Sequence, residues 1–104
     1  METIVSEYAR VFNSENPYWN SDESYNRFFL QAQQNYFNQK LLMKGFVFLN
    51  EIYETLGFEC IPAGQLVGWL RNGKDGYIDF KIDKDENEDY TLDFNVDGVV
   101  HDKI

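Results

Sequence analysis

Two acidic stretches near the C-terminus have the residue types and spacing that a cation would need. Asp83, Asp85, Asn87 and Asp89 alternate along DKDENED, each with a side-chain oxygen. Asp93, Asn95 and Asp97, followed by Gly98, reproduce the first half of an EF-hand loop. Such a loop needs glycine at its sixth position and a bidentate glutamate at its twelfth. The first stretch has Glu88 where the glycine should be, and the second has Ile104 where the glutamate should be. The first is therefore expected to be a solvated hairpin loop and the second a strand followed by a turn. No metal ligand is assigned.

Nucleophilic chemistry has little more to work with. His101 is the single histidine, which excludes a two-histidine zinc site, and Cys60 is the single cysteine. Together they could make a nucleophile and its base. A lone cysteine between Phe58 and Ile61 reads instead as a small core residue. No catalytic residue and no cofactor is assigned, and the chain is not expected to be an enzyme. One cysteine makes no intramolecular disulfide, which suits a reducing compartment. The start, METIVSEYARVFNSE, lacks the apolar stretch of a signal peptide. The expected setting is a cytoplasm.

Charge gives the more specific lead. Eighteen acids face nine Lys and Arg, for a net charge of -9. Residues 75–104 hold ten of the acids and three of the bases. Binding directly to a nucleic-acid backbone needs Lys and Arg, so it is not expected. Asp79, Asp83, Asp93 and Asp97 alternate against apolar positions, which would place them on one outer sheet face. With Asp85, Glu86, Glu88 and Asp89 at the loop, that row could imitate phosphates and meet a partner with a basic surface. The simpler account is that the outer face of any half-exposed sheet is polar and that charge aids solubility. Two tryptophans are candidate interface anchors. Trp69, beside Val67 and Leu70, reads as core, whereas Trp19, beside Tyr18 in a polar loop, reads as exposed.

These residues must be positioned by a small number of elements. The chain has 104 residues and is 43% hydrophobic and 17% aromatic, enough for one modest core in one domain spanning 1–104. Ile4, Tyr8, Val11 and Phe12 predict a short helix over 2–14, broken at Asn16-Pro17. Ser21 is the expected N-cap of a long helix from Asp22 to about Lys44, stopped by Gly45. That helix has two apolar stripes about 150° apart at 100° per residue. One is Tyr25, Phe29, Ala32, Tyr36 and Met43, and the other is Leu30, Phe37 and Leu41. Two stripes need two partners, here the N-terminal helix and the sheet. The sharper alternative gives one stripe, through Leu30 and Phe37, to another protein or to a second copy.

Phe46–Phe48 is a short strand or an extended entry to a helix capped by Asn50. Leu49, Ile52, Tyr53 and Leu56 share its buried face, and Gly57-Phe58 closes it. After Trp69 the period becomes two. Ile78, Phe80 and Ile82 predict one strand, and Tyr90, Leu92, Phe94 and Val96 another. A loop of Val96, Asp97 and Gly98 would then pair Phe94 with Val100 and Tyr90 with Ile104. The expected class is α+β, with two to three helices over about 2–57 and an antiparallel meander over about 66–104. No run of apolar residues is long enough to span a membrane.

Four segments together resemble an uncharacterised family of small phage and prophage proteins, mainly from gut Firmicutes. They are Phe48-Leu49-Asn50-Glu51 with Tyr53, Leu56-Gly57, Gly64-Gln65-Leu66-Val67-Gly68-Trp69, and Leu92 to Gly98. The resemblance covers about residues 44–100. The link Phe58–Ile61 before Pro62 is longer than in the pattern. The resemblance implies no activity. It implies a viral gene working in a host cytoplasm or within a phage particle. The expected function is non-enzymatic protein binding, in particle assembly or host takeover. The alternative is an acidic nucleic-acid mimic that inhibits a host nuclease or defence enzyme.

Overall fold

The computed structural model of the chain describes residues 6–104. Its elements are β1 (Arg10–Phe12), α1 (Glu23–Lys44), β2 (Phe46–Phe48), α2 (Leu49–Leu56), β3 (Val67–Leu70), β4 (Asp83–Lys84), β5 (Tyr90–Leu92) and β6 (Gly98–Val99). Single 3-10 turns occupy Pro62–Gln65 and His101–Lys103. The strands form two antiparallel three-stranded sheets, ordered β1-β5-β4 and β2-β3-β6. The class is α+β.

The expected N-terminal helix is not formed over its described part, and Ile4 lies outside the described residues. Ser6–Ala9 make a turn, and Arg10–Phe12 pair with Leu92–Tyr90 along the edge of β5. A helix of so few residues nucleates poorly, whereas an open strand edge offers a ladder at once. Phe12 is thereby buried against Trp19 and Phe29, with ring centroids 5.6 and 5.8 Å away.

The two helices begin and end for local reasons. Asp22, one residue beyond the expected Ser21, caps α1 by accepting the Ser24 N–H at 2.9 Å. Gly45 and Gly57 end α1 and α2 in the left-handed conformation at φ 89° and 85°, which a side chain would resist. The Phe58 N–H reaches back to the Tyr53 carbonyl at 2.8 Å, and their rings meet edge to face. Asn50 does not cap α2, which begins a residue earlier. Glu51 takes that role by accepting the Phe48 N–H at 2.8 Å, and it also pairs with Lys40 of α1.

Asn50 instead faces the loop. Its side chain accepts the Ile61 N–H at 3.0 Å and donates to the Ile61 carbonyl at 2.8 Å. Asn38 holds both backbone groups of Ile78 in the same way, at 2.7 and 2.9 Å. The buried Asn26 does so for Asn20, at 2.8 and 2.7 Å. Each amide imitates one rung of a β-ladder, supplying a donor and an acceptor to one residue.

The expected strand over Ile78–Ile82 is replaced by such contacts. Ile78 and Phe80 are buried as the alternation requires. Their backbone bonds, however, go to side chains: Asn38 on Ile78 and Gln34 on the Phe80 N–H at 2.8 Å. The expected hairpin between residues 90–96 and 99–104 is absent too. β5 pairs with β1 and β4, while Gly98-Val99 cross to β3. The Asp97 N–H bonds the Gly68 carbonyl at 2.9 Å and pins that crossing.

One core joins both sheets and both helices. Phe12, Leu30, Phe37, Tyr53, Trp69, Phe80 and Tyr90 are among its largest members. At Gly68, β3 comes so close to β2 that a Cβ would lie 2.0 Å from the Val47 carbonyl oxygen.

Candidate functional site

The acidic residues do not form a single row. Asp79 accepts the Lys81 N–H at 2.8 Å, and Asp93 accepts the Ser6 N–H at 3.1 Å. Asp97 turns inward and accepts the Leu70 N–H at 3.0 Å. Asp85 folds onto its own loop, accepting the N–H groups of Asn87 and Asp89 at 2.8 and 3.0 Å. Lys84 pairs with Glu23 and lies 3.7 Å from Glu88, and the hydrogen bond to Glu23 raises its pKa above the usual lysine value. Asp83, Asp85, Glu86 and Glu88 remain exposed, and Asp89 is half-buried. Four of the acids thus organise backbone, and the loop charge is offset in part by a lysine.

The other candidates also have structural partners. The Cys60 thiol is exposed rather than in the core and lies 3.7 Å from the Asn50 carbonyl oxygen. Among the described residues no three of His, Cys, Asp and Glu converge on a cation position. Trp19 is half-buried rather than exposed, packed between Phe12 and Tyr90. Leu30 and Phe37 are 0% and 2% exposed in the chain's own core, so they cannot serve as a partner surface. They face inward because α1 packs that stripe on β2 and α2, and Leu41 completes it.

The other stripe, with its neighbours Phe28 and Leu42, is the side left largely uncovered, although Phe29 packs partly on Phe12 of the core. Met43 is 84% exposed, Phe28 70%, Leu42 62%, Tyr36 55% and Tyr25 46%. Phe29 is half-covered by Tyr18 and Tyr25, whose rings stack on it at 5.6 and 6.3 Å. Along the helix, Tyr25, Phe29, Ala32, Tyr36, Gln39 and Met43 follow a strict four-three-four-three-four spacing. That spacing matches the core positions of a coiled coil over fewer than three heptads, with Phe29, Tyr36 and Met43 at one position and Tyr25, Ala32 and the polar Gln39 at the other. Phe28, Asn35 and Leu42 flank the seam on one side, seven residues apart. Shallow clefts along it are lined by Phe28, Ala32, Asn35 and Tyr36 and, toward the C-terminal end, by Tyr36, Lys40 and Met43. Exposed aromatic and aliphatic side chains thus run along one side of the helix.

The electrostatics of this face set it apart from the rest of the chain. Residues 24–50 contain no Asp or Glu, although the chain has eighteen. Of the three cations of α1, Arg27 lies over the Tyr90 ring at 5.6 Å and Lys40 is paired with Glu51. The seam is therefore close to neutral.

Sequence reasoning names both stripes but not which is covered, because periodicity is the same for a buried and a bare face. Phe28 and Leu42 are missed as site residues, since neither lies on either stripe. Their seven-residue relation to Asn35 is the signal that finds them.

Several specific residues of the motifs in the sequence fall on structural joints. Asn95 bonds Trp69, Asp79, Asp75 and Tyr77. Gly64 gives room to the Asn50 amide, whose oxygen would lie 2.0 Å from a Cβ there. Among the described residues no helix is long and apolar enough to cross a membrane. One protein family, a family of unknown function (DUF6353), matches the chain over residues 1–104, beyond the 44–100 over which the motifs are recognisable. No curated protein and no solved structure matches it.

Proposed function

This chain belongs to the family of unknown function DUF6353, and we propose that it is a non-enzymatic protein-binding module that engages its partner through the bare face of α1. The observation that carries this reading is the exposed heptad seam from Tyr25 to Met43 on a helix that is otherwise firmly anchored. A helix with two apolar faces buries one in its own core and offers the other to a partner. Two of the acids weighed as cation ligands hold backbone instead, Asp85 on its own loop and Asp97 on Leu70.

The setting, particle assembly or host takeover by a phage- or prophage-encoded protein in a host cell, rests on the motif resemblance alone. Imitation of nucleic acid would have to be carried by the exposed acids of the 83–89 loop, without the continuous row that mimicry requires.

A photoreactive phenylalanine analogue at Tyr36 tests the binding reading, with the same label at Lys81 as control. Irradiation in cells of the source organism should give a discrete protein adduct from position 36, lost on adding Phe28→Ser. No adduct from position 36 with any protein, a second copy included, would overturn the reading.

A further inference from the structure

Building on that reading of the α1 face, we infer that the partner it accepts is a second copy of this chain, with the two α1 helices antiparallel about a twofold axis level with Gln34. In an antiparallel pair each core position of one type faces the other type on its neighbour. With the axis at Gln34, Tyr25 meets Met43 of the second copy, Phe29 meets Gln39, and Ala32 meets Tyr36. On the flank the contacts are staggered by about 3 Å along the axis, bringing Phe28 to Leu42 and Asn35 to its own copy.

The match is chemical as well as geometric. The one small residue of the seam, Ala32, faces a large ring, which lets the helices approach closely at the centre. At both ends a methionine sulfur meets a tyrosine ring, a favourable contact. Phe28 and Leu42, the exposed side chains that the seam itself does not explain, cover each other. Asn35 supplies both a donor and an acceptor at the axis, so its copy can satisfy it.

Charge permits the same arrangement. A chain of net charge -9 resists pairing with itself, but over residues 24–50 there is no acid, and Glu23, the one carboxylate of α1, lies outside the paired residues 25–43. Antiparallel helices also align their dipoles favourably. Contact over about 27 Å of helix buries on the order of 1,000 Å2 in total, near the lower limit of a specific interface. The dimer is therefore a weak one, strengthened by salt that screens the repulsion between acidic copies.

Sedimentation of the whole chain at concentrations up to on the order of 100 µM should show a mass rising from one chain of 12.3 kDa toward two, more completely at 1 M than at 0.1 M salt. Tyr36→Glu and Phe28→Ser should each hold the chain monomeric while leaving its circular dichroism, and its melting temperature at concentrations where the wild type is monomeric, unchanged. Direction is read from spin labels at Asn35→Cys and Lys44→Cys, each in a Cys60→Ser background. Labels at 35 should lie within about 20 Å of each other, and labels at 44 about 30 Å apart along the axis. Equal short distances at both positions would mean parallel helices and overturn the geometry. A dimer that survives Tyr36→Glu would place the interface elsewhere and overturn the proposal. So would a monomer under every condition. A monomer that still gives a Tyr36 adduct with another protein leaves the binding reading intact, so the two failures are separable.

Discussion

The indole N–H of Trp69 donates to the side-chain oxygen of Asn95 at 2.9 Å, and that same oxygen accepts the Asp79 N–H at 2.7 Å. One atom thus ties β3 to the extended segment before β4 and to the chain between β5 and β6. Asn95→Ala would leave the buried indole donor and a backbone donor without partners. Removing a partner from a buried donor costs about 1–3 kcal/mol, so the expected loss is about 3 kcal/mol. A shift of the urea midpoint corresponding to less than about 0.5 kcal/mol would refute this account.

Asn50 distinguishes a bridge from a cap. At an N-cap, Asp serves about as well as Asn, and Ser nearly so. Here the amide must also donate to the Ile61 carbonyl, which no carboxylate can do. Asn50→Asp should therefore be at least as damaging as Asn50→Ala, by about 2 kcal/mol. Equal stability of Asn50→Asp and wild type in denaturant would restore the cap.

The two stripes of α1 should respond oppositely to substitution. Leu30→Ala and Phe37→Ala empty the core and should cost about 2–5 kcal/mol each. Phe28→Ser and Tyr36→Ser change a bare surface and should stay within about 0.5 kcal/mol. Unfolding at low protein concentration, where only the monomer is present, makes the comparison. A large loss from Tyr36→Ser would mean that the seam is covered by the chain itself.

Tyr53 gives a pH signature. Burial is the main cause that raises its phenol from 10.0 to about 12, against the opposing Arg10 guanidinium, which lies 4.8 Å from the ring centre. The hydroxyl also donates to the Tyr8 carbonyl. The neutral form is favoured in the folded chain. Its contribution is full below the unfolded value of 10.0 and is lost as pH rises through about 12. The stability difference between wild type and Tyr53→Phe should shrink over that window. A constant difference from pH 8 to 12 would sink the argument.

What could be read in advance follows the reach of each signal. Helix stops are local: Gly45 and Gly57 lie where left-handed backbone is needed, and Phe58 packs on Tyr53, whereas the expected caps Ser21 and Asn50 give way to Asp22 and Glu51. The burial alternation of Ile78, Phe80, Tyr90 and Leu92 was legible because side-chain direction follows from an extended backbone alone. Strand pairing was not. An extended segment shows its period but not its neighbour, and here Asn38 and Gln34 take bonds that a strand would have made. Arg10–Phe12 could declare itself a strand only once β5 supplied an edge. For the site, spacing revealed both stripes of α1. Which one stays bare depends on where β2 and α2 pack, and a single helix holds no record of that.

The three asparagines that imitate ladder rungs also carry a chemical liability. A folded core of phenylalanine and leucine has no slow hydrolytic chemistry, but a side-chain amide does. If Asn26, Asn38 or Asn50 loses ammonia, the nitrogen that donated to the carbonyl of Asn20, Ile78 or Ile61 becomes an oxygen, charged and facing another oxygen. The change is one dalton in mass, yet it turns a joint into a repulsion that burial intensifies. All three amides sit within helices, whose fixed backbone hinders the cyclisation that begins the loss. The helices therefore act as a preservative for the joints they carry. Local fraying of α2 around Asn50 would start the clock for its joint.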